Sequence, residues 1–323
     1  MTQIRLGVAQ PQTWYGPDER RNLDEAIRLV KQASATECDL LLFPENFPGP
    51  YRERGRFDAI GPLSAAAKEN HVAIVAGTSE ETEPGSNRFH IIAVVIGSDG
   101  IVKGRYHRTH PAGPYIYPGG DLWDFKYKEA DEFPVFDMGW GKLGMLVCSE
   151  VFVPEIARIL ALKGAEVCLM HAGLLIDELG YTDNWRTLVR ARAIENLMYT
   201  ATTVHLFPEE FGRKYRQAEL QLPPTGSHLT AGIAMIASPE RVLCESHEPG
   251  VLSAVLDLDR IRWLRETDEE LIVPAPYRTI PGVLKWRRPE LYGQLTAQPA
   301  ATTVRRVPTP VSPDLPARRG GQG

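Results

Sequence analysis

The sequence predicts an α/β protein in which two β-sheets pack together and helices cover their outer faces. Three observations carry that expectation. Short apolar runs alternate with segments whose apolar residues recur at helical spacing. Several runs come in pairs joined by tight turns, which a purely parallel sheet would not need. No Pro-, Gly- or Ser-rich linker interrupts the chain before Pro299.

Taken in order, Ile4–Gln10 predicts a strand, and Asp18–Thr36 a helix with Leu23, Ile27 and Val30 on one face. Asp39–Phe43 predicts a buried strand that Pro44 stops. Leu63–Asn70 predicts a helix feeding the strand Val72–Gly77. Phe89–Gly97 and Ile101–Tyr106 flank Ser98-Asp99-Gly100, the Asp-Gly signal of a hairpin. Phe133–Met138 and Lys142–Cys148 form a further expected pair around Gly139–Gly141. A helix is expected from Val153 or Pro154, because proline suits a first helical turn. Glu166–His171 predicts a strand and Thr182–Met198 a long helix with Asp183 as its cap. Thr200–Leu206, Gly232–Ala237, Arg241–Glu245 and Val251–Leu258 close the pattern as strands. We therefore expect one domain over residues 1–298. A Pro/Arg-rich tail follows at 299–323, too polar to bury a face, so disordered or draped over a partner subunit.

Composition narrows the function. Of 323 residues, 43% are hydrophobic and 24% charged, which suits a globular chain with a sizeable core. A net charge of −5 without a basic stripe argues against nucleic-acid binding. Apolar runs such as His90–Ile96 and Leu143–Cys148 are too short to span a bilayer. No charged leader precedes the first strand, so a cytoplasmic location is expected, with Cys38, Cys148, Cys168 and Cys244 as reduced thiols. Their spacing is not that of a zinc site.

Two residues stand out chemically. Cys148 ends an apolar strand and faces the start of a helix, where backbone N–H groups favour a thiolate. Most cysteines so placed are small buried hydrophobes, so position alone is a weak signal. Glu45 follows the buried run Leu40–Phe43, where partial desolvation raises a carboxylate toward the range useful for a base. A surface carboxylate at a strand end is the plain reading. A thiol and a carboxylate meeting at two strand ends is the sharper one.

The surrounding motifs resemble the nitrilase superfamily of carbon–nitrogen hydrolases. Phe43-Pro44-Glu45 is similar to its glutamate motif, and Cys148-Ser149-Glu150-Val151-Phe152-Val153-Pro154-Glu155 to its cysteine segment. Arg158, Leu160 and Gly164-Ala165 keep the helix register that follows. Trp185 and Arg190–Asn196 resemble its arginine-alanine-x-glutamate-asparagine helix, and Ala254–Leu258 its closing strand. The resemblance runs in order from about residue 4 to 265. It implies a four-layer α-β-β-α sandwich, a homodimer or higher homo-oligomer, and chemistry without metal or organic cofactor. It also implies that Cys148 attacks an amide or nitrile carbon and that Glu45 takes the thiol proton and later activates water.

The sequence departs from that pattern in one stretch. The family's lysine lies two residues before a histidine, and here Arg108 precedes His110. Lys103 does not fit, being inside the preceding strand with no histidine two residues on. Arginine keeps a positive charge that can stabilise an oxyanion with the Ser149 N–H, but it does not readily release a proton. It could also pair with a substrate carboxylate. The loop from Pro111 to Asp121 lacks the family's second glutamate; Asp121 or Asp124 could compensate, and either could equally be a plain loop carboxylate.

The remaining candidates are weaker. His110 resembles the family's pocket-orienting histidine, Glu150 could orient pocket groups, and Trp185 and Tyr181 could line the pocket, although each also suits plain packing. His107, His110 and His171 lack the frame of a metal site. Gly119-Gly120 is a turn and not a phosphate loop. The expected substrate is a small amide, nitrile or carbamoyl compound. Amide is favoured because the segment after Cys148 lacks the Trp-Glu pair of nitrile-cleaving members. Two alternatives differ in kind: acyl transfer to an amine on the same fold, and a non-catalytic binding protein.

Overall fold

The structure, a computed structural model, describes residues 1–14, 18–50, 57–86, 88–110, 126–173, 181–206, 232–266, 284 and 287–296. The chain divides into a large unit, Met1–Trp286, and a short one, Arg287–Gly323. In the short unit the described part holds a 3-10 helix at Pro289–Thr296, with Leu291 and Leu295 exposed. The expected tail at 299–323 and the loop that carries Asp121 and Asp124 lie outside the described residues.

Two sheets build the large unit. The first contains β1 (Gln3–Gln10), β2 (Leu40–Leu42), β3 (Ala73–Glu81), β4 (Arg88–Ile96), β5 (Val102–His107) and β6 (Lys126–Tyr127). The second contains β7 (Phe136–Asp137), β8 (Lys142–Val147), β9 (Val167–His171), β10 (Tyr199–Thr203), β11 (Ala234–Ala237) and β12 (Val242–Ser246). The last strand, β13 (Gly250–Asp257), returns to the first sheet. There the order is β13-β1-β2-β3-β4-β5, with β6 beside β4; in the second sheet it is β12-β11-β10-β9-β8-β7.

The two-residue period of each strand sorts side chains into layers. Ile4, Leu6 and Val8 of β1 meet Leu143, Met145 and Val147 of β8 and Val167 and Leu169 of β9 in a core between the sheets. Behind the first sheet, Leu41 and Ile74 pack under α1 (Arg21–Ala35) and α2 (Ile60–Asn70) through Leu29, Val30 and Leu63. Behind the second, Leu146, Cys168 and Met170 pack under α3 (Pro154–Leu162) and α4 (Tyr181–Asn196) through Leu160, Trp185 and Val189. The fold is thus the α-β-β-α sandwich. A fifth helix, α5 (Leu258–Glu266), follows β13.

Local expectations fare unevenly. The Asp-Gly turn joins β4 to β5, and Gly100 adopts a φ of +80° that glycine reaches without steric cost. The strand expected over Phe133–Met138 shrinks to Phe136–Asp137, because Pro134 has no N–H to offer a ladder. Asp183 lies within the first turn of α4, which begins at Tyr181 and not at Thr182. All four cysteines are free thiols.

Candidate active site

The site forms where the two sheets' strand ends face each other. In the second sheet β8 runs into Cys148, which opens a 3-10 turn at Cys148–Phe152. Its φ is +53°, a left-handed conformation that costs a side-chain-bearing residue on the order of 1 kcal/mol or more. The bend turns the nucleophile's backbone away from the strand direction just where the helix α3 is about to begin. In the first sheet β2 ends before Phe43-Pro44-Glu45. Gly77 of β3 lies so close that a Cβ there would sit 2.2 Å from the Asn46 nitrogen, and its N–H donates to Phe47 O at 2.8 Å. That approach fixes the backbone carrying Glu45.

Glu45 is 4% exposed. Its Oε1 accepts from Arg108 Nη1 at 2.8 Å, and its Oε2 from the Gly173 N–H at 3.0 Å. The Cys148 thiol lies beside the same carboxylate. Burial raises Glu45 above the ordinary carboxylate value, against the Arg108 charge, the thiol and the Gly173 N–H. Burial and the adjacent Glu45 charge push the Cys148 thiol up to about 12, against Arg108 and Gly173. Loss of solvation and the neighbouring carboxylate therefore oppose the thiolate that the helix-start N–H groups favour.

Arg108 is wholly buried. All three guanidinium nitrogens donate within the protein: Nη1 to Glu45, Nη2 to Ser149 Oγ at 2.5 Å and Nε to His110 O at 2.8 Å. A guanidinium held this way is anchored by the protein's own acceptors through three of its five N–H groups. Its charge still faces the thiol, as its opposing effect on Cys148 requires.

Glu150 is fully buried and accepts from five donors. Thr109 N (2.7 Å), Thr109 Oγ1 (2.6 Å) and His110 N (3.3 Å) reach Oε1; Tyr106 OH (2.8 Å) and Val147 N (2.7 Å) reach Oε2. His110 is half-buried, with Nδ1 2.7 Å from Thr109 Oγ1 and its ring stacked 6.2 Å from Phe133. Trp185 is fully buried, gives its N–H to Thr202 Oγ1 at 2.8 Å and packs 6.1 Å from Phe152. The Tyr181 side chain lies outside the described residues.

Three contributors were not singled out in the sequence. Gly173 supplies an N–H to the carboxylate. His205, held between the Glu45 carbonyl (Nε2, 2.8 Å) and Thr13 Oγ1 (Nδ1, 3.0 Å), supports the Glu45 backbone. Since a carbonyl only accepts, Nε2 carries the proton. His171, weighed only as a metal ligand, ends β9 and is fully buried. Neither of its ring nitrogens has a well-aligned hydrogen bond, although the backbone of Pro44 and Phe43 lies alongside. Burial lowers both imidazoles to about 4, so they stay neutral. Cues existed, since His171-Ala172-Gly173 ends an apolar strand next to the one that ends in Cys148. Among the described residues no cluster of His, Cys, Asp and Glu could hold a metal ion. No described helix is long and apolar enough to cross a membrane.

A nucleophile, a buried base and a fixed cation meeting at two strand ends can support thiol attack on an electrophilic carbon. Comparison with known proteins points the same way. Residues 5–266 match the family model described as carbon-nitrogen hydrolase. A probable nitrilase of Schizosaccharomyces pombe is 27% identical over 264 residues, 77% of this chain and 87% of that protein. An omega-amidase of Xenopus laevis is 27% identical over 282 residues, 82% and 93% of the two chains. The crystal structure of a carbon–nitrogen hydrolase from Helicobacter pylori is similar at a TM-score of 0.69 and 25% identity, over 92% of this chain and 99% of that one.

Proposed function

The chain belongs to the carbon–nitrogen hydrolase family, and on that footing we propose that it hydrolyses a small amide through a Cys148 acyl-enzyme with Glu45 as general base. The observation that carries the reading is the Cys148 thiol set beside the buried Glu45 carboxylate, which Arg108 holds by an ion pair. In the first half, Sγ attacks the carbonyl carbon as its proton passes to Glu45. The oxyanion is stabilised by the Ser149 backbone N–H and the Arg108 charge. As the C–N bond breaks, Glu45 returns the proton to the leaving nitrogen, which departs as ammonia or an amine. In the second half, water attacks the thioester and gives a proton to Glu45. Collapse of that intermediate releases the acid and restores the thiol.

A base raised by burial serves both halves, because it takes a proton from the thiol or water and returns it to the leaving nitrogen or the sulfur. The proton donor to the leaving group is Glu45 and not Arg108, whose guanidinium stays charged. We assign substrate contact to His110 and Ser149, both half-buried, with the fully buried Glu150 and Trp185 supporting them from within the protein. We assign this activity to residues 1–298, in a cytoplasmic homodimer or higher homo-oligomer. Sedimentation analysis of the full chain checks the assembly.

The test combines turnover with thiol chemistry. Ammonia release is measured across a panel of small aliphatic amides, ω-amides and nitriles, with and without an added amine acceptor. Cys148 labelling by iodoacetamide is followed by peptide mass spectrometry against Cys38, Cys168 and Cys244, in wild type and Glu45→Gln. Amide-dependent ammonia release with fast, Glu45-dependent labelling of Cys148 is expected. Amine-dependent product without ammonia would mean acyl transfer. No turnover, with Cys148 labelled no faster than the other three, would mean a binding protein.

A further inference from the structure

Glu150 plays no part in the acyl-transfer steps, yet it is fully buried and receives five hydrogen bonds. Where those donors sit is informative. Thr109 N and His110 N directly follow Arg108, while Val147 N directly precedes Cys148. Tyr106 comes from β5 of the first sheet, and Glu150 from the turn that ends β8 of the second. One carboxylate therefore grips both chain segments that carry the reacting groups, across the gap between the sheets. Burial and the Glu150 charge raise the Tyr106 phenol well above its ordinary value, so it remains a donor.

The same carboxylate reaches His110 through Thr109. A threonine hydroxyl has one proton. Three donors converge on Oε1, so the Thr109 proton is directed to the carboxylate at 2.6 Å. The 2.7 Å contact to His110 must then run the other way, with Nδ1–H donating to Thr109 Oγ1. A neutral His110 is left with Nε2 as an acceptor, on a half-buried ring whose own carbonyl holds Arg108.

We propose that Glu150 is a positioning residue that holds Arg108 in register with Cys148 and fixes His110 as the Nδ1–H tautomer, leaving Nε2 to accept a hydrogen bond from a substrate N–H. The proposal rests on the hydrolase reading for its use, but its geometry is testable without turnover.

The experiment uses the full chain as wild type, Glu150→Gln and Thr109→Val. In Glu150→Gln either amide orientation sets an NH2 against a backbone N–H, so the clamp opens. A fall in kcat of about 100-fold with little change in KM is expected, the scale of a misplaced reacting group. Thr109→Val keeps the backbone N–H to Oε1 and removes only the hydroxyl. The ¹⁵N shifts of labelled His110, recorded near pH 8 where an ordinary imidazole is neutral, are expected to show a protonated Nδ1 and a bare Nε2 in wild type. In Thr109→Val they shift toward the Nε2–H form.

Wild-type His110 with Nε2 protonated, or a tautomer unmoved in Thr109→Val, overturns the relay. A folded Glu150→Gln with wild-type kcat overturns the clamp. Should Glu150→Gln fail to fold, the Thr109→Val spectra still decide. Absent amide turnover by wild type refutes the hydrolase reading and leaves the His110 measurement standing.

Discussion

Two buried glutamates frame this site, and they are treated in opposite ways. Glu150 receives five donors shared between its oxygens, and its charge is fully matched by N–H and O–H groups. Glu45 receives one guanidinium N–H and one backbone N–H, and beside them lies the Cys148 thiol, the group we propose it deprotonates. Burial therefore raises Glu45 with the opposing donors only partly offsetting it. The contrast teaches that burial alone does not make a base. A carboxylate saturated with donors serves as architecture, and one left short of donors next to an acidic hydrogen serves as a proton acceptor.

The strongest way to break that contrast is to neutralise Glu45. Glu45→Gln keeps the shape and removes the acceptor charge. A loss in kcat of about 10³-fold is expected from removing a positioned base, read as ammonia release at saturating amide. Activity within a few-fold of wild type would mean that another group takes the thiol proton.

Arg108→Lys comes next. One ammonium cannot reach Glu45, Ser149 Oγ and the His110 carbonyl as the planar guanidinium does. About a 100-fold fall in kcat is expected, and a double-mutant cycle with Ser149→Ala should show non-additive losses. Independent effects in that cycle would dissolve the Arg108–Ser149 link.

A smaller effect sharpens the picture of what lies beneath Glu45. His171 and His205 are lowered from 6.5 to about 4. The unfolded chain takes up these protons as pH drops below 6.5, while the folded one refuses them until about 4. Stability is thus complete above about 6.5 and falls toward 4, by about 1.4 kcal/mol per pH unit for each ring. Urea unfolding across that range should show a shallower acid slope in His205→Asn. An unchanged slope would place the acid sensitivity elsewhere. At the far end, Glu25→Ala, which breaks the exposed pair with Arg28, should change stability by less than about 1 kcal/mol.

The sequence made the strand ends legible, and with them the proposed nucleophile and base. Leu40–Phe43 and Leu143–Val147 are apolar runs cut off by a proline and a polar turn, so Glu45 and Cys148 declared themselves by position. Arg108 was found by its spacing to His110. What burial and charge do to the thiol was not legible because it depends on what surrounds Sγ in three dimensions, and Glu45 lies 103 positions away in the chain. Glu150 was weighed as a group that orients the pocket, but its pairing with Thr109, 41 positions away, was not legible, and His205 escaped because its partner lies 160 positions away.

The closing strand has a consequence for how the molecule comes into being. Along its whole length, from Gln3 to Gln10, β1 pairs with β13, from Asp257 to Gly250. Until that last strand is synthesised, one full edge of β1 has no ladder partner, although β2 already occupies the other. The reacting groups are drawn from strands in between, so they exist long before the sheet that aligns them is sealed. Such long-range pairing slows folding and exposes a sticky edge during synthesis. Nascent chains stalled before residue 250 should therefore aggregate or recruit chaperones, while those that have passed residue 257 can zip the sheet shut.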